Sequence, residues 1–158
     1  MKSDLTDRFF EAVIALRGDM FAYAFSITKQ REDAEDAVHN AIVKAFEGLG
    51  KLKNESKLKP WLFAILRTEA LQLLRQKKRF AALPEDIPGA NGGDEERLDA
   101  ENAVASLPRE LREAVVLYYK LGYSTEEIAA IARIPRGTVM SRLHRAREHI
   151  KKQLEEGE

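Results

Sequence analysis

Residues 124–147 constrain the fold more than any other part of the chain, because they pair two short helical patterns across a tight turn. The first is Ser124-Thr125-Glu126-Glu127-Ile128-Ala129-Ala130-Ile131-Ala132, with Ile128, Ile131 and Ala132 on one face and Ala129 small enough for close helix crossing. Ser124 with Glu127 three residues on is a capping box, so a helix begins there. Pro135 breaks the first helix and suits the opening turn of the next, because its ring fixes φ and it lacks an amide proton that would go unbonded anyway. The second helix is dense in arginine, running Ser141-Arg142-Leu143-His144-Arg145-Ala146-Arg147. The pattern predicts a helix-turn-helix whose second helix fits the DNA major groove.

A chain with 26 basic and 26 acidic residues has no net charge, which looks wrong for a DNA binder until the charges are mapped. Residues 133–152 hold seven cations against one acid, a local +6, and residues 67–80 hold five against one, a local +4. Residues 83–101 hold seven acids against one cation, a local −6. Phosphate binding follows local lysine and arginine density, so two basic patches flanking an acidic connector remain compatible with DNA. The connector also concentrates two of the five prolines and three of the nine glycines within 83–94, the composition of a mobile linker.

The rest reads as helix, and no segment has strand character. Leu5 to Arg17 is one expected helix, stopped at Gly18, and Met20 to Lys29 the next. Ala34, Ala37, Val38, Ala41, Ile42, Ala45 and Phe46 repeat at helical spacing before Gly48 and Gly50, and a further helix runs from about Ser56–Pro60 to Arg79. Its end carries Arg75, Lys77, Lys78 and Arg79, which the helix dipole alone would favour there. Trp61 and Phe63 on the same helix add the aromatic component by which single strands are held, although each ring taken singly fits a core position equally well. Phe9, Phe10, Phe21, Tyr23, Phe25 and Phe46 read as core, as do Leu111, Ala114, Val115, Tyr118 and Leu121. The expected architecture is all-α: two small helical domains with separate cores, residues 1–80 and 95–158, joined by a flexible acidic linker, 81–94, the second being the helix-turn-helix.

Several function classes drop out. There are no cysteines, so disulfides and thiolate metal sites are excluded and the cytoplasm is the expected compartment. No apolar stretch approaches membrane-spanning length, so no direct membrane insertion is expected. His144 has Glu148 at i+4 but no third ligand at helical spacing, His39 and His149 have no such partner, and no Gly-rich phosphate loop or activated nucleophile is visible. No metal, cofactor or catalysis is expected.

Glu32-Asp33-Ala34-Glu35-Asp36-Ala37-Val38, Lys59-Pro60-Trp61-Leu62, Leu74-Arg75-Gln76-Lys77-Lys78-Arg79, Leu107-Pro108, Glu127-Ile128-Ala129, Gly137-Thr138-Val139 and Ser141–Arg147, taken in order, resemble the extracytoplasmic-function (ECF) sigma factors, sigma-70 relatives with regions 2 and 4 only. The resemblance spans about Leu5 to Leu154. It implies that region 2 docks on the clamp helices of the polymerase β′ subunit through Asp33, Glu35, Asp36 and Asn40, and handles the −10 element through Trp61, Phe63, Arg75, Lys78 and Arg79. It implies that region 4 meets the β flap and reads the −35 element through Arg136, Thr138, Ser141, Arg142 and Arg145, arginines on guanine and hydroxyls on phosphate. It further implies core RNA polymerase, promoter DNA and an anti-sigma factor as partners, and a linker that threads the RNA path as an anionic mimic, where a solvated spacer fits the composition equally well. His39-Asn40, Thr68, Gln72, Arg133 and Met140 depart from the family pattern; a positive φ at Arg133 would strain it by about 1 kcal/mol. Two other readings stay open: a stand-alone helix-turn-helix regulator, and a sigma-like decoy that occupies an anti-sigma factor.

Overall fold

The computed structural model describes residues 2–80 and 98–156, with side chains for 4–79 and 101–156; the expected linker 81–94 and most of the acidic stretch lie outside the described residues. Among the described residues, seven α-helices follow in order: α1 (Lys2–Thr28), α2 (Arg31–Glu47), α3 (Leu58–Phe80), α4 (Leu98–Ala105), α5 (Arg109–Val115), α6 (Thr125–Ala132) and α7 (Arg136–Glu156). Among the described residues there is no strand.

Gly18 does not divide the first segment. Phe9, Val13, Leu16, Met20, Tyr23 and Ile27 succeed one another at three- and four-residue steps and are all buried, so packing carries one helix across the glycine. One glycine costs a helix about 1 kcal/mol, less than the burial of either flanking side chain gains. The helix ends where Lys29 turns left-handed at φ 56°, its amide donating to the Phe25 carbonyl at 2.9 Å.

At the end of α5 one turn of π-helix, Val116–Lys120, closes with the Leu121 amide on the Val116 carbonyl at 3.0 Å. The extra residue rotates the register, so Leu117 is buried and Tyr118, expected in the core, is 39% exposed. Three phenylalanines expected inside are also outside: Phe10, Phe25 and Phe46 flank the core face of their helices and stand 42–47% exposed.

The two helical units do not keep separate cores. Helices α1, α2 and α3 pack on one another, and their buried side chains form one continuous cluster with Ala114, Leu117, Tyr123, Ile128, Ile131, Val139 and Leu143 of the second unit. Among the described residues, Leu107, Leu111, Val115 and Ala146 make a small cluster of their own. The junction is aromatic: the fully buried Phe63 ring of α3 lies 5.8 Å from Tyr23 of α1 and 5.1 Å from Tyr123, just before α6.

Beside it sits a buried polar knot. The Glu113 carboxylate on α5 accepts from the Tyr23 hydroxyl at 2.8 Å and Arg67 Nε of α3 at 2.8 Å on one oxygen, and from Arg109 Nη1 at 2.6 Å on the other. Next to it, Arg112 donates Nε to the Ser26 carbonyl of α1 and Nη1 to the Leu107 carbonyl. A buried charge is tolerable only when so bonded, and these bonds hold α5 against α1 and α3.

Candidate nucleic-acid interface

The helix-turn-helix forms as its local chemistry dictates. Ser124 Oγ accepts from the Glu127 amide at 3.1 Å, and Glu127 Oε1 accepts from the Ser124 amide at 2.9 Å, so two otherwise orphaned donors are bonded. Ile128 and Ile131 are buried to within 1%, and Ala132 lies beside them. The helix closes on Arg133 at φ 56°, ψ 49°, with the Ile134 amide reaching the Ala129 carbonyl at 3.1 Å. Arginine therefore occupies a left-handed position that glycine would hold without strain, at a cost of about 1 kcal/mol. Pro135 supplies the carbonyl that starts α7, accepting from the Thr138 and Val139 amides at 3.0 and 3.3 Å.

Helix α7 buries Val139, Leu143 and Ala146 and turns all but one of its cations outward. Arg136, Ser141 and Arg145 are exposed and Thr138 is half-buried, so four of the five expected −35 residues lie on accessible surface. Arg142 does not stand free: its side chain is only 15% exposed, and Nη2 lies 3.5 Å from Glu110 of α5. A step of three residues turns a helix by about 300°, which swings Arg142 back toward α5 while Arg145 stays outside.

The expected −10 residues divide similarly. Arg75, Lys78 and Arg79 are exposed over the last turns of α3. Trp61 is half-buried against the α2 end near Gly48. Phe63 corrects the expectation that it meets a strand, because it is enclosed between Tyr23 and Tyr123. Of the expected polymerase-docking residues on α2, Glu35 and Asp36 are exposed, Glu35 paired with Arg31 at 3.3 Å, while Asp33 is tied to Lys77 of α3 at 2.8 Å. Asn40 lines an open groove between α2 and α3 with His39, Lys44, Glu69 and Gln72. The buried Glu69 there accepts from Lys44 Nζ at 2.8 Å.

The sequence places Tyr23 in the core and Arg67 in a basic run, but their pairing with Glu113 was not expected. Burial raises the Tyr23 phenol well above its ordinary value, and the Glu113 charge beside it adds to the rise. Burial pulls the Arg67 guanidinium down, but Glu113 more than offsets it and the net shift is upward. Burial lowers Arg112. Glu113 stands among Arg109, Glu110 and Arg112 in a charged stretch, and its partners Arg67 and Tyr23 lie 46 and 90 residues away, so no local pattern sets it apart.

Among the described residues no group of His, Asp and Glu side chains is placed to hold a metal, and no helix is long and apolar enough to cross a membrane.

Two family models match successive parts of the chain. Residues 13–80 match the family model for sigma-70 region 2, and residues 97–150 that for sigma-70, region 4. Over 92% of its length the chain is 30% identical to the ECF RNA polymerase sigma factor EcfG of Rhodopseudomonas palustris, covering 84% of that protein. It is also 30% identical over 86% of its length to the RNA polymerase sigma factor SigV of Bacillus subtilis, again covering 84% of it. Its fold superposes with a TM-score of 0.77 on the sigma factor RpoE of Bartonella quintana, crystallised with the anti-sigma factor NepR, at 30% identity over 94% of this chain and 97% of that one. At 22% identity, CnrH in complex with the cytosolic domain of CnrY shares the fold with a TM-score of 0.72, over 97% of this chain and 91% of that one. With both regions matched in order and the helix-turn-helix in place within the second, the chain belongs to the sigma-70 family, as an ECF sigma factor.

Proposed function

We propose that this ECF sigma factor binds core RNA polymerase and directs it to promoters by contacting two separated DNA elements, with the chemistry of transcription supplied by the polymerase. The observation that carries the reading is the exposed cationic face of α7 behind a correctly capped α6, in a chain whose other half matches region 2. On this reading Arg136, Thr138, Ser141 and Arg145 meet the −35 duplex, and Trp61, Arg75, Lys78 and Arg79 meet the −10 element. The α2 face with Glu35, Asp36 and Asn40 docks on the β′ clamp helices, Asp33 acting through its hold on α3, and region 4 meets the β flap. Residues 1–80 and 95–158 act as the two working units, and the acidic segment 81–94 spans between them. Phe63 reaches a strand only if the two units separate, because the closed arrangement encloses it.

An anti-sigma factor is proposed as the regulator, supported by the Bartonella sigma factor of the same fold that was crystallised with one. Run-off transcription with purified core enzyme on a genomic fragment library, beside gel-shift assays on the chain alone, tests the function. Specific transcripts that require the chain support a promoter-specificity subunit. DNA shifts without transcripts would replace it with a stand-alone regulator, and neither result leaves a decoy.

A further inference from the structure

We propose that Thr125 is a positioning residue for promoter reading: its hydroxyl holds the Arg136 guanidinium so that only the two terminal nitrogens face the DNA, setting a guanine preference at one base pair. The proposal rests on the reading above that Arg136 faces the −35 element.

Thr125 opens α6 and Arg136 opens α7, so the two helices bring their first residues to one corner of the motif. There Arg136 Nε donates to Thr125 Oγ1 at 2.9 Å. The neighbouring Ser124 hydroxyl is already engaged by the Glu127 amide and serves the cap. The hydroxyl at this corner that serves Arg136 is therefore that of Thr125.

The choice of nitrogen matters. A guanidinium offers parallel N–H pairs along its end, from Nη1 and Nη2, or along its side, from Nε and one Nη. Once Nε is spent on Thr125, the side pair is lost and the end pair remains. Two parallel donors at the tip match O6 and N7 of guanine in the major groove. Holding Nε beforehand also removes part of the rotamer entropy that an arginine would otherwise lose on binding. Threonine suits the task because branching at Cβ narrows its own χ1.

The test uses the full chain reconstituted with core RNA polymerase and promoter fragments whose upstream element is randomised; retained fragments are sequenced to give the base preference at each position. Arg136→Ala should abolish a guanine preference at one position. Thr125→Val should weaken that same preference roughly five-fold, the worth of one hydrogen bond of ordinary net strength, and leave other positions unchanged. Thr125→Ser, which restores the acceptor, should recover it. In an Arg136→Ala background Thr125→Val should have no further effect.

If Arg136→Ala flattens one position and Thr125→Val does not, the positioning role is wrong while the −35 assignment stands. If Arg136→Ala changes no position, the assignment itself fails and the proposal with it. A Thr125→Val effect that persists without Arg136, or that lowers all positions together, would mean that Thr125 touches DNA directly or only supports the fold, and would overturn the proposal.

Discussion

Replacing Glu113 with alanine should separate the two halves of the molecule energetically. The side chain is 5% exposed and its carboxylate accepts three hydrogen bonds, two of them from arginines. Removing one member of a buried ion pair usually costs about 3–5 kcal/mol, because the remaining charge is left without a partner. Here Arg67 keeps 19% and Arg109 30% of its side-chain exposure, so both can turn partly toward water and the charge term falls toward the lower bound. The fully buried Tyr23 hydroxyl has no such escape, and an orphaned hydroxyl adds about 1–3 kcal/mol. A net loss of about 4 kcal/mol follows, or roughly 8–16 °C in Tm for a chain of this length. Urea unfolding followed by circular dichroism gives the stability, and small-angle scattering gives the radius of gyration, which should rise as α5 detaches from α1 and α3. The compensated pair Glu113→Leu with Arg67→Met should recover most of the loss, since it leaves less charge buried. Stability within about 0.5 kcal/mol of the parent in Glu113→Ala, with unchanged dimensions, would refute the idea that this carboxylate ties the halves together.

Gly18→Ala should stabilise the chain by about 0.5–1 kcal/mol in the same urea titration, because Gly18 lies within α1 and a Cβ there meets nothing within 4 Å. The folded state holds the Tyr23 proton where the unfolded chain releases it, so stability is whole below the ordinary phenol value of 10.0 and falls as pH rises above it. Tyr23→Phe should start about 1 kcal/mol less stable at neutral pH and lose less on going alkaline, so unfolding curves at several pH values should converge. Arg145→Ala should weaken binding to a −35 duplex by about 1–3 kcal/mol while leaving polymerase affinity unchanged, as measured by anisotropy and co-purification. Equal loss of both would contradict the division of labour between the halves.

What was legible in the sequence is what depends on near neighbours. The Ser124–Glu127 cap, the buried face of Ile128 and Ile131, and the apolar stripe of α2 all lie within a few turns of one helix, so their spacing suffices. Long-range geometry was not legible. An aromatic at position 63 gives the same helical pattern whether a DNA strand or Tyr123 covers it, and only the packing of α3 against α6 decides. Arg142 and Arg145 look alike in a basic run, yet the proximity of α5 turns one inward to Glu110. A single π-turn, with no residue of its own to announce it, moved Tyr118 out and Leu117 in. Gly18 misled for a different reason: its local cost was real, but the core residues on both sides outweighed it.

Two cationic surfaces should grip one promoter at two places only when polymerase is present. Chemical footprinting of the reconstituted complex on a transcribed promoter tests it most directly, with hydroxyl radicals reporting the upstream duplex and permanganate reporting unpaired thymines near the start. The expected pattern is an upstream protected patch that weakens in Arg145→Ala, together with reactive thymines downstream that need both the chain and core enzyme. Upstream protection with no opening downstream, or opening by core enzyme without this chain, would contradict it.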